Sequence, residues 1–140
     1  MLIVDTGPLV AAADRSDRHH SACVELLETA SGPLVTTAMV IAETAYLLTR
    51  ELGPGAEPAL YDAILEGSLT VEPVNSADWR RIRDLVDAYA DMPLGGTDAS
   101  LVAIAERLGA SRIATLDRAH FSVVRPRHCD AFEIVPPSGS

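Results

Sequence analysis

The chain has 140 residues, of which 48% are hydrophobic, and it carries a formal net charge of −9. That length suits one domain with a core, and the hydrophobic content excludes global disorder. No apolar run approaches the roughly 20 residues of a membrane span, and no basic flank or cleavage pattern of a signal peptide is visible at the N-terminus. We therefore expect a cytoplasmic protein that does not contact a membrane.

All eleven basic residues are arginines, and the cysteines are Cys23 and Cys129 alone. Two cysteines indicate reduced thiols rather than a disulfide framework or a zinc site. The acidic balance argues against a basic surface that binds nucleic acid non-specifically. It does not exclude a nuclease, because acids that hold a metal ion would account for part of the charge.

Short apolar strands alternate with helices along the chain. The first half predicts a strand at 1–5, a helix from Gly7-Pro8, a helix at 19–30, a strand at 34–36 and a helix from the Thr37 cap to about Leu52. The second half predicts a helix at 58–66, a strand at 69–74, a helix capped by Ser76 or Asp78, a helix from the Thr97 cap to Leu108 that Gly109 stops, and strands at 112–116 and 132–135. This alternation is typical of a three-layer α/β/α sandwich with a central, mostly parallel sheet. We expect one domain over residues 1–135 and a mobile tail over 136–140.

Three carboxylates occupy places where a ligand site would need them. Asp5 directly follows the first predicted strand, and Asp117 follows the strand at 112–116. Ligands of parallel sheets bind beyond the carboxyl ends of the strands, so both acids are expected at one crevice. Asp98 falls in the first turn of its helix, which should keep it ionised. Simple helix capping for Asp5 and a simple helix-dipole contact for Asp98 are the alternatives.

A fourth carboxylate, Glu43, lies in a long apolar stretch. Its neighbours three and four residues away on a helix are apolar or aromatic: Met39, Val40, Tyr46 and Leu47. We therefore expect Glu43 to point into the protein. The alternative is a buried glutamate that is paired with an arginine or held by backbone hydrogen bonds.

An all-oxygen set of Asp5, Glu43, Asp98 and Asp117 is the preference of Mg²⁺ or Mn²⁺ rather than zinc. One or two such ions would neutralise phosphoryl oxygens and activate a water for in-line attack. The set therefore predicts hydrolysis of a phosphodiester. The four histidines show no zinc spacing, and we expect them mostly at the surface.

Three other acid-based enzymes or domains fit less well. Asp5-Thr6-Gly7 matches the aspartic-protease triplet, which needs a β-rich cradle instead of a following helix. A haloacid-dehalogenase phosphatase would carry an acid at position 7, and a response-regulator receiver domain needs a lysine, which this chain lacks.

In their order and spacing, four segments resemble the PIN-domain ribonucleases, in particular the VapC toxins of bacterial toxin–antitoxin pairs. These segments are 2–6, 40–43, 92–103 and 113–121. Within the third segment, Gly96-Thr97 stands where many relatives have an apolar residue, which should alter the loop slightly.

The resemblance implies an α/β/α fold and a Mg²⁺- or Mn²⁺-dependent endoribonuclease. Asp5, Glu43 and Asp98 would be the metal-coordinating triad, and Asp117 would complete a second metal position or act through water. Two hydroxyl residues beside these acids, Thr6 and Thr115, would orient them.

The resemblance also implies a transfer RNA or ribosomal RNA substrate, a homodimer, and inhibition by a VapB-type antitoxin whose C-terminal segment covers the groove. The net charge favours such a partner. Local arginines would then hold the RNA. The candidates are Arg15, Arg18, Arg80, Arg81, Arg83, Arg112 and Arg118.

Two other functions remain open. One is a PIN-fold binding module without catalysis, although the presence of all four acids argues against it. The other is a PIN nuclease that acts in RNA processing outside toxin–antitoxin pairs, although the small size of the chain argues against it.

Overall fold

A computed structural model of the protein describes residues 1–138, in which five short strands form one sheet with only parallel pairings. The strands are β1 Leu2–Val4, β2 Leu34–Thr36, β3 Thr70–Val71, β4 Arg112–Ala114 and β5 Glu133–Val135. Their order across the sheet is β3-β2-β1-β4-β5, so the direction of winding reverses between β1 and β4. Ligands bind such sheets at this reversal, beyond the carboxyl ends of the strands.

Helices flank the sheet on both faces. They are α1 Thr6–Ala13, α2 His20–Thr29, α3 Ala38–Leu52, α4 Glu57–Leu65, α5 Ser76–Ala88, α6 Gly96–Leu108 and α7 Arg118–Val123. Side chains of a strand alternate between the two faces of a sheet. Accordingly, Ile3 of β1 packs in a cluster with α5 and α6, whereas Leu2 and Val4 pack in another cluster with residues of α2. All three residues of β1 are fully buried, and the predicted three-layer α/β/α sandwich is confirmed.

Two helices are capped by residues other than those predicted. The cap of α5 is Asn75 rather than Ser76 or Asp78, because the Asn75 side chain and the Asp78 backbone and side chain form a reciprocal capping box. Helix α6 is capped by Gly95, so Thr97 lies within its first turn. The predicted stop at Gly109 is confirmed, since Gly109 has the left-handed conformation with φ of 72°.

Two smaller differences concern the second half of the chain. The six-residue helix α7 was not predicted, and β3 and β4 are shorter than the apolar runs that predicted them. Part of the predicted tail, residues 139–140, lies outside the described residues, while the carbonyl of Pro136 accepts a hydrogen bond from Arg118 Nη1 at 3.2 Å. Among the helices of residues 1–138, none has the length and apolar character needed to cross a bilayer.

A bidentate ion pair joins α5 to α6. Arg81 donates to both carboxylate oxygens of Glu106, at 2.7 and 2.9 Å, and their side chains are only 16% and 10% exposed. Glu106 also accepts a hydrogen bond from the backbone of Arg127 at 2.8 Å. The guanidinium of Arg81 is therefore engaged within the fold and is a poor candidate for holding RNA.

We predict that Glu106→Ala lowers the free energy of unfolding by about 3 kcal/mol, because the substitution leaves a largely buried guanidinium unpaired. Glu133→Ala is the matched control, since it removes the exposed pair with Arg112 and should cost less than about 1 kcal/mol. Urea unfolding of both variants measures the difference, and equal losses would contradict the prediction.

Candidate metal centre

Asp5 lies directly beyond β1, and the fold holds both of its carboxylate oxygens. The residue is 6% exposed, and its backbone N–H donates to the carbonyl of Ala114 at 2.9 Å. Its Oδ1 accepts a hydrogen bond from the backbone of Thr6 at 2.7 Å, and its Oδ2 accepts one from Thr115 Oγ1 at 2.8 Å. Asp5 therefore caps α1, as the alternative interpretation held, and it also faces the cleft described below.

Thr115 connects the ends of the neighbouring strands β1 and β4. Its hydroxyl donates to Asp5 and accepts a hydrogen bond from the backbone N–H of Asp117 at 3.0 Å, and the residue is 1% exposed. These contacts agree with the orienting role expected for Thr115. The hydroxyl of Thr6 is buried as well, but it has no hydrogen-bond partner among the described residues.

Asp98 lies in the first turn of α6, as predicted, but its environment differs from the expectation. Its pKa is raised from 3.8 to about 7, first by burial and then by the charges of Asp5 and Asp117. The first turn of a helix favours the ionised form, but burial and repulsion outweigh that effect here. The pKa of Asp5 is also raised, mainly by burial.

Asp117 holds a histidine that the sequence did not single out. Its Oδ1 caps α7 by accepting from the backbone N–H of His120 at 3.2 Å, and its Oδ2 lies 2.5 Å from His120 Nδ1. The same Nδ1 lies 3.6 Å from Asp98 Oδ2, and donor atoms of these three residues lie within 4.8 Å of one another. The histidines were expected mostly at the surface, and His120 is partly exposed, but it also contacts two of the predicted acids, which was not expected. Its position three residues after a strand-end acid was a usable signal.

Glu43 does not point into the core, so that prediction is wrong. The residue is exposed, and Tyr46, one turn along α3, is 64% exposed. The buried face of α3 consists instead of Val40, Thr44, Ala45 and Leu48. The apolar neighbours were misleading because this face of α3 lines an open surface. The charge of Glu43 nevertheless contributes to the raised pKa values of Asp5 and Asp98.

A cleft of about 660 Å³ brings the predicted acids together. Its lining includes Asp5, Glu43, Asp98 and Asp117, and a further acid, Asp17, from the connection between α1 and α2. Asp17 accepts a hydrogen bond from the backbone of His19 at 2.7 Å. Asp17 was not among the candidate acids predicted from the sequence, because no strand end or apolar stretch singles it out.

The side chains of the cleft fit a divalent cation. Within residues 1–138, no arginine nitrogen lies within 4.0 Å of a carboxylate oxygen of the four predicted acids. The one basic side chain that pairs with any of them in this range is His120, which pairs with Asp98 and Asp117. Converging carboxylates with no arginine partner, beside the Thr6 hydroxyl that has no hydrogen-bond partner among the described residues, form the oxygen-rich set that Mg²⁺ and Mn²⁺ prefer.

A family model described as PIN domain matches residues 2–125. The chain belongs to the PIN domain family. This PIN domain is 32% identical over 135 residues to Ribonuclease VapC26 of Mycobacterium tuberculosis, an alignment that spans 96% of the chain and 100% of the relative. It is therefore a member of the VapC ribonucleases.

Solved structures share the fold of this PIN domain. VapC20 of Mycobacterium tuberculosis, described as a sarcin–ricin loop cleaving toxin, has a TM-score of 0.76 and 21% identity, with 81% of this chain and 87% of that one covered. VapBC2 of Rickettsia felis, bound to a DNA fragment from its promoter, has a TM-score of 0.66 and 15% identity, with 96% and 98% covered. FitAcB of Neisseria gonorrhoeae has a TM-score of 0.54 and 18% identity, with 84% and 88% covered.

We predict that the metal-free protein loses stability as the pH rises from about 4 to about 7. The pKa of Asp98 is raised on folding, so protonated Asp98 favours the folded state and its ionisation in that window opposes folding. Asp98→Asn should flatten part of this dependence and raise the melting temperature of the chelator-treated protein at pH 7. Thermal unfolding in EDTA across this range measures the effect; parallel curves for the two proteins would contradict it.

Proposed function

We propose that this protein is the toxic endoribonuclease of a toxin–antitoxin pair, which hydrolyses phosphodiester bonds of a structured RNA with a metal-activated water. The observation that carries the proposal is the convergence of Asp5, Glu43, Asp98 and Asp117 on one cleft at the reversal of the sheet. Membership of the VapC ribonucleases supports the same activity.

We assign the four acids to the metal centre as catalytic residues. Asp5 is held in place by Thr115 and by the backbone of α1, so its orientation is set before any ligand arrives. Asp98 lies where the charges of Asp5 and Asp117 both act, so a nearby cation would favour its ionised form. A bound Mg²⁺, or Mn²⁺ as the alternative, would supply neutralisation of phosphoryl oxygens and a lowered pKa for a bound water.

A structured RNA, either transfer RNA or ribosomal RNA, is the proposed substrate. VapC20 of similar fold is a toxin that cleaves the sarcin–ricin loop, which supports a folded RNA target of this kind. An acidic cleft repels phosphate, so cationic side chains near its mouth must assist. Arg118 follows Asp117 directly, and Arg15 and Arg18 flank Asp17; all three are exposed.

A VapB-type antitoxin and a second copy of the chain are the proposed protein partners. The solved VapBC2 assembly of Rickettsia felis supports this proposal by its similar fold. Large apolar side chains on α3 and α4 are exposed, including Tyr46, Tyr61 and Leu65, and such side chains suit a protein interface. We further propose that residues 1–135 form one PIN domain, since β5 pairs with β4 and so belongs to the same sheet. We propose the cytoplasm as its location.

We predict that expression of the wild-type chain without antitoxin arrests growth and produces a few discrete RNA 5′ ends, both of which Asp98→Asn and Asp5→Ala abolish. Loss of one carboxylate lowers the cation affinity of the cleft and so removes the activated water. Asp62→Asn, at an exposed acid of α4, is the control and should behave as wild type.

Mapping of cellular RNA 5′ ends decides between the proposals. Undiminished cleavage by purified, antitoxin-free Asp98→Asn protein would rule out the assigned centre. A folded wild-type protein that causes no arrest and creates no new ends would favour the binding module, whereas precise trimming of precursor RNA without arrest would favour RNA processing.

We also predict that Thr115→Val slows RNA cleavage about 10–100-fold while the fold survives, because Asp5 and the backbone of Asp117 each lose a hydrogen bond. Thr115→Ser keeps the hydroxyl and should restore most of the rate. Single-turnover cleavage of a fixed RNA measures both variants. Equal rates for Thr115→Val and Thr115→Ser would contradict the orienting role.

A further inference from the structure

His120 is placed at the acid cluster by contacts of its backbone and of its neighbour. Its backbone N–H donates to Asp117 Oδ1, so the residue occupies the first turn of α7 above that acid. The next residue, Phe121, is 1% exposed and packs in the main hydrophobic core, which anchors α7. The imidazole is 27% exposed and directs Nδ1 at Asp117 and Asp98.

The three side chains have the spacing of ligands around one ion. A donor atom of each lies within 4.8 Å of the others, although Asp98 is on α6 and the other two are on either side of the start of α7. A hydrogen bond joins Nδ1 to Asp117 Oδ2, and a bound ion would take the place of its hydrogen. The set is two carboxylate oxygens and one imidazole nitrogen, which differs from the all-oxygen set expected from the sequence.

We propose that His120 is a metal ligand, and that its nitrogen makes the Asp98–Asp117 side of the centre favour Mn²⁺ over Mg²⁺. Mg²⁺ is a hard cation that takes oxygen ligands almost exclusively, whereas first-row transition metals accept imidazole. This inference rests on the proposed function, because it concerns the same centre, and it assigns a residue and a cation preference that the four acids do not.

The test uses the full chain, purified without antitoxin or RNA, with Mn²⁺ alone and Mg²⁺ alone as probes. Pulsed electron paramagnetic resonance of bound Mn²⁺ detects a directly coordinated ¹⁴N nucleus, and calorimetry gives the affinity for each ion. The variant is His120→Gln. The matched control is His20→Gln, because the ring of His20 contacts the carbonyl of Ala11 instead of the acids.

We expect a ¹⁴N coupling in the wild-type spectrum that His120→Gln removes and His20→Gln retains. The Mn²⁺ dissociation constant should rise at least about tenfold in His120→Gln, while that of Mg²⁺ changes by less than about threefold. Retained Mg²⁺ binding also shows that the variant is folded. The wild-type spectrum decides the coordination by itself if the variant does not fold.

Two results would overturn the assignment. Absence of a ¹⁴N coupling in the wild-type spectrum, or its survival in His120→Gln, would show that His120 does not coordinate the ion. Equal weakening of both ions would mean that His120 only positions Asp117. The Asp98→Asn variant distinguishes an error about His120 from an error about the proposed function. If this variant retains wild-type binding of both ions and wild-type RNA cleavage, the whole centre is misassigned.

Discussion

Repulsion between carboxylates at the reversal of the sheet is the constraint around which the cleft is organised. Asp5 and Asp98 both have raised pKa values, because burial and neighbouring acids oppose their ionisation. The backbone of α1 and the hydroxyl of Thr115 prevent Asp5 from turning away. A cation that binds the folded state relieves the repulsion and stabilises the fold. The same arrangement therefore predicts a loss of stability when no metal is bound, and it suits the cleft to a divalent ion.

The alternation of apolar strands and helices was sufficient to predict the parallel sheet and the position of most elements. The choice of helix cap depended on competition between neighbouring residues. Asn75 caps α5 because it can exchange hydrogen bonds with Asp78, and Gly95 caps α6, which places Thr97 inside the helix. The short helix α7 had too few residues to show a helical period. Its presence depends on the Asp117 cap and on burial of Phe121.

The site was predictable where topology alone determines position. Asp5 and Asp117 follow neighbouring parallel strands, so their convergence follows from the sheet order. The direction of Glu43 was not predictable, because apolar neighbours line a core and an open groove equally well. The places of His120 and Asp17 depend on how α7 and the α1–α2 connection pack, which no periodic pattern encodes.

An acidic cleft that acts on a polyanion needs a cation between the two, so metal occupancy of the cleft decides whether it can cleave RNA. A crystal structure of the protein soaked with Mn²⁺, with anomalous data collected near the manganese edge, measures this occupancy. We expect an anomalous peak within coordination distance of Asp98 and Asp117, which Asp98→Asn crystals lack. A well-occupied peak elsewhere, with no density among these acids, would contradict it.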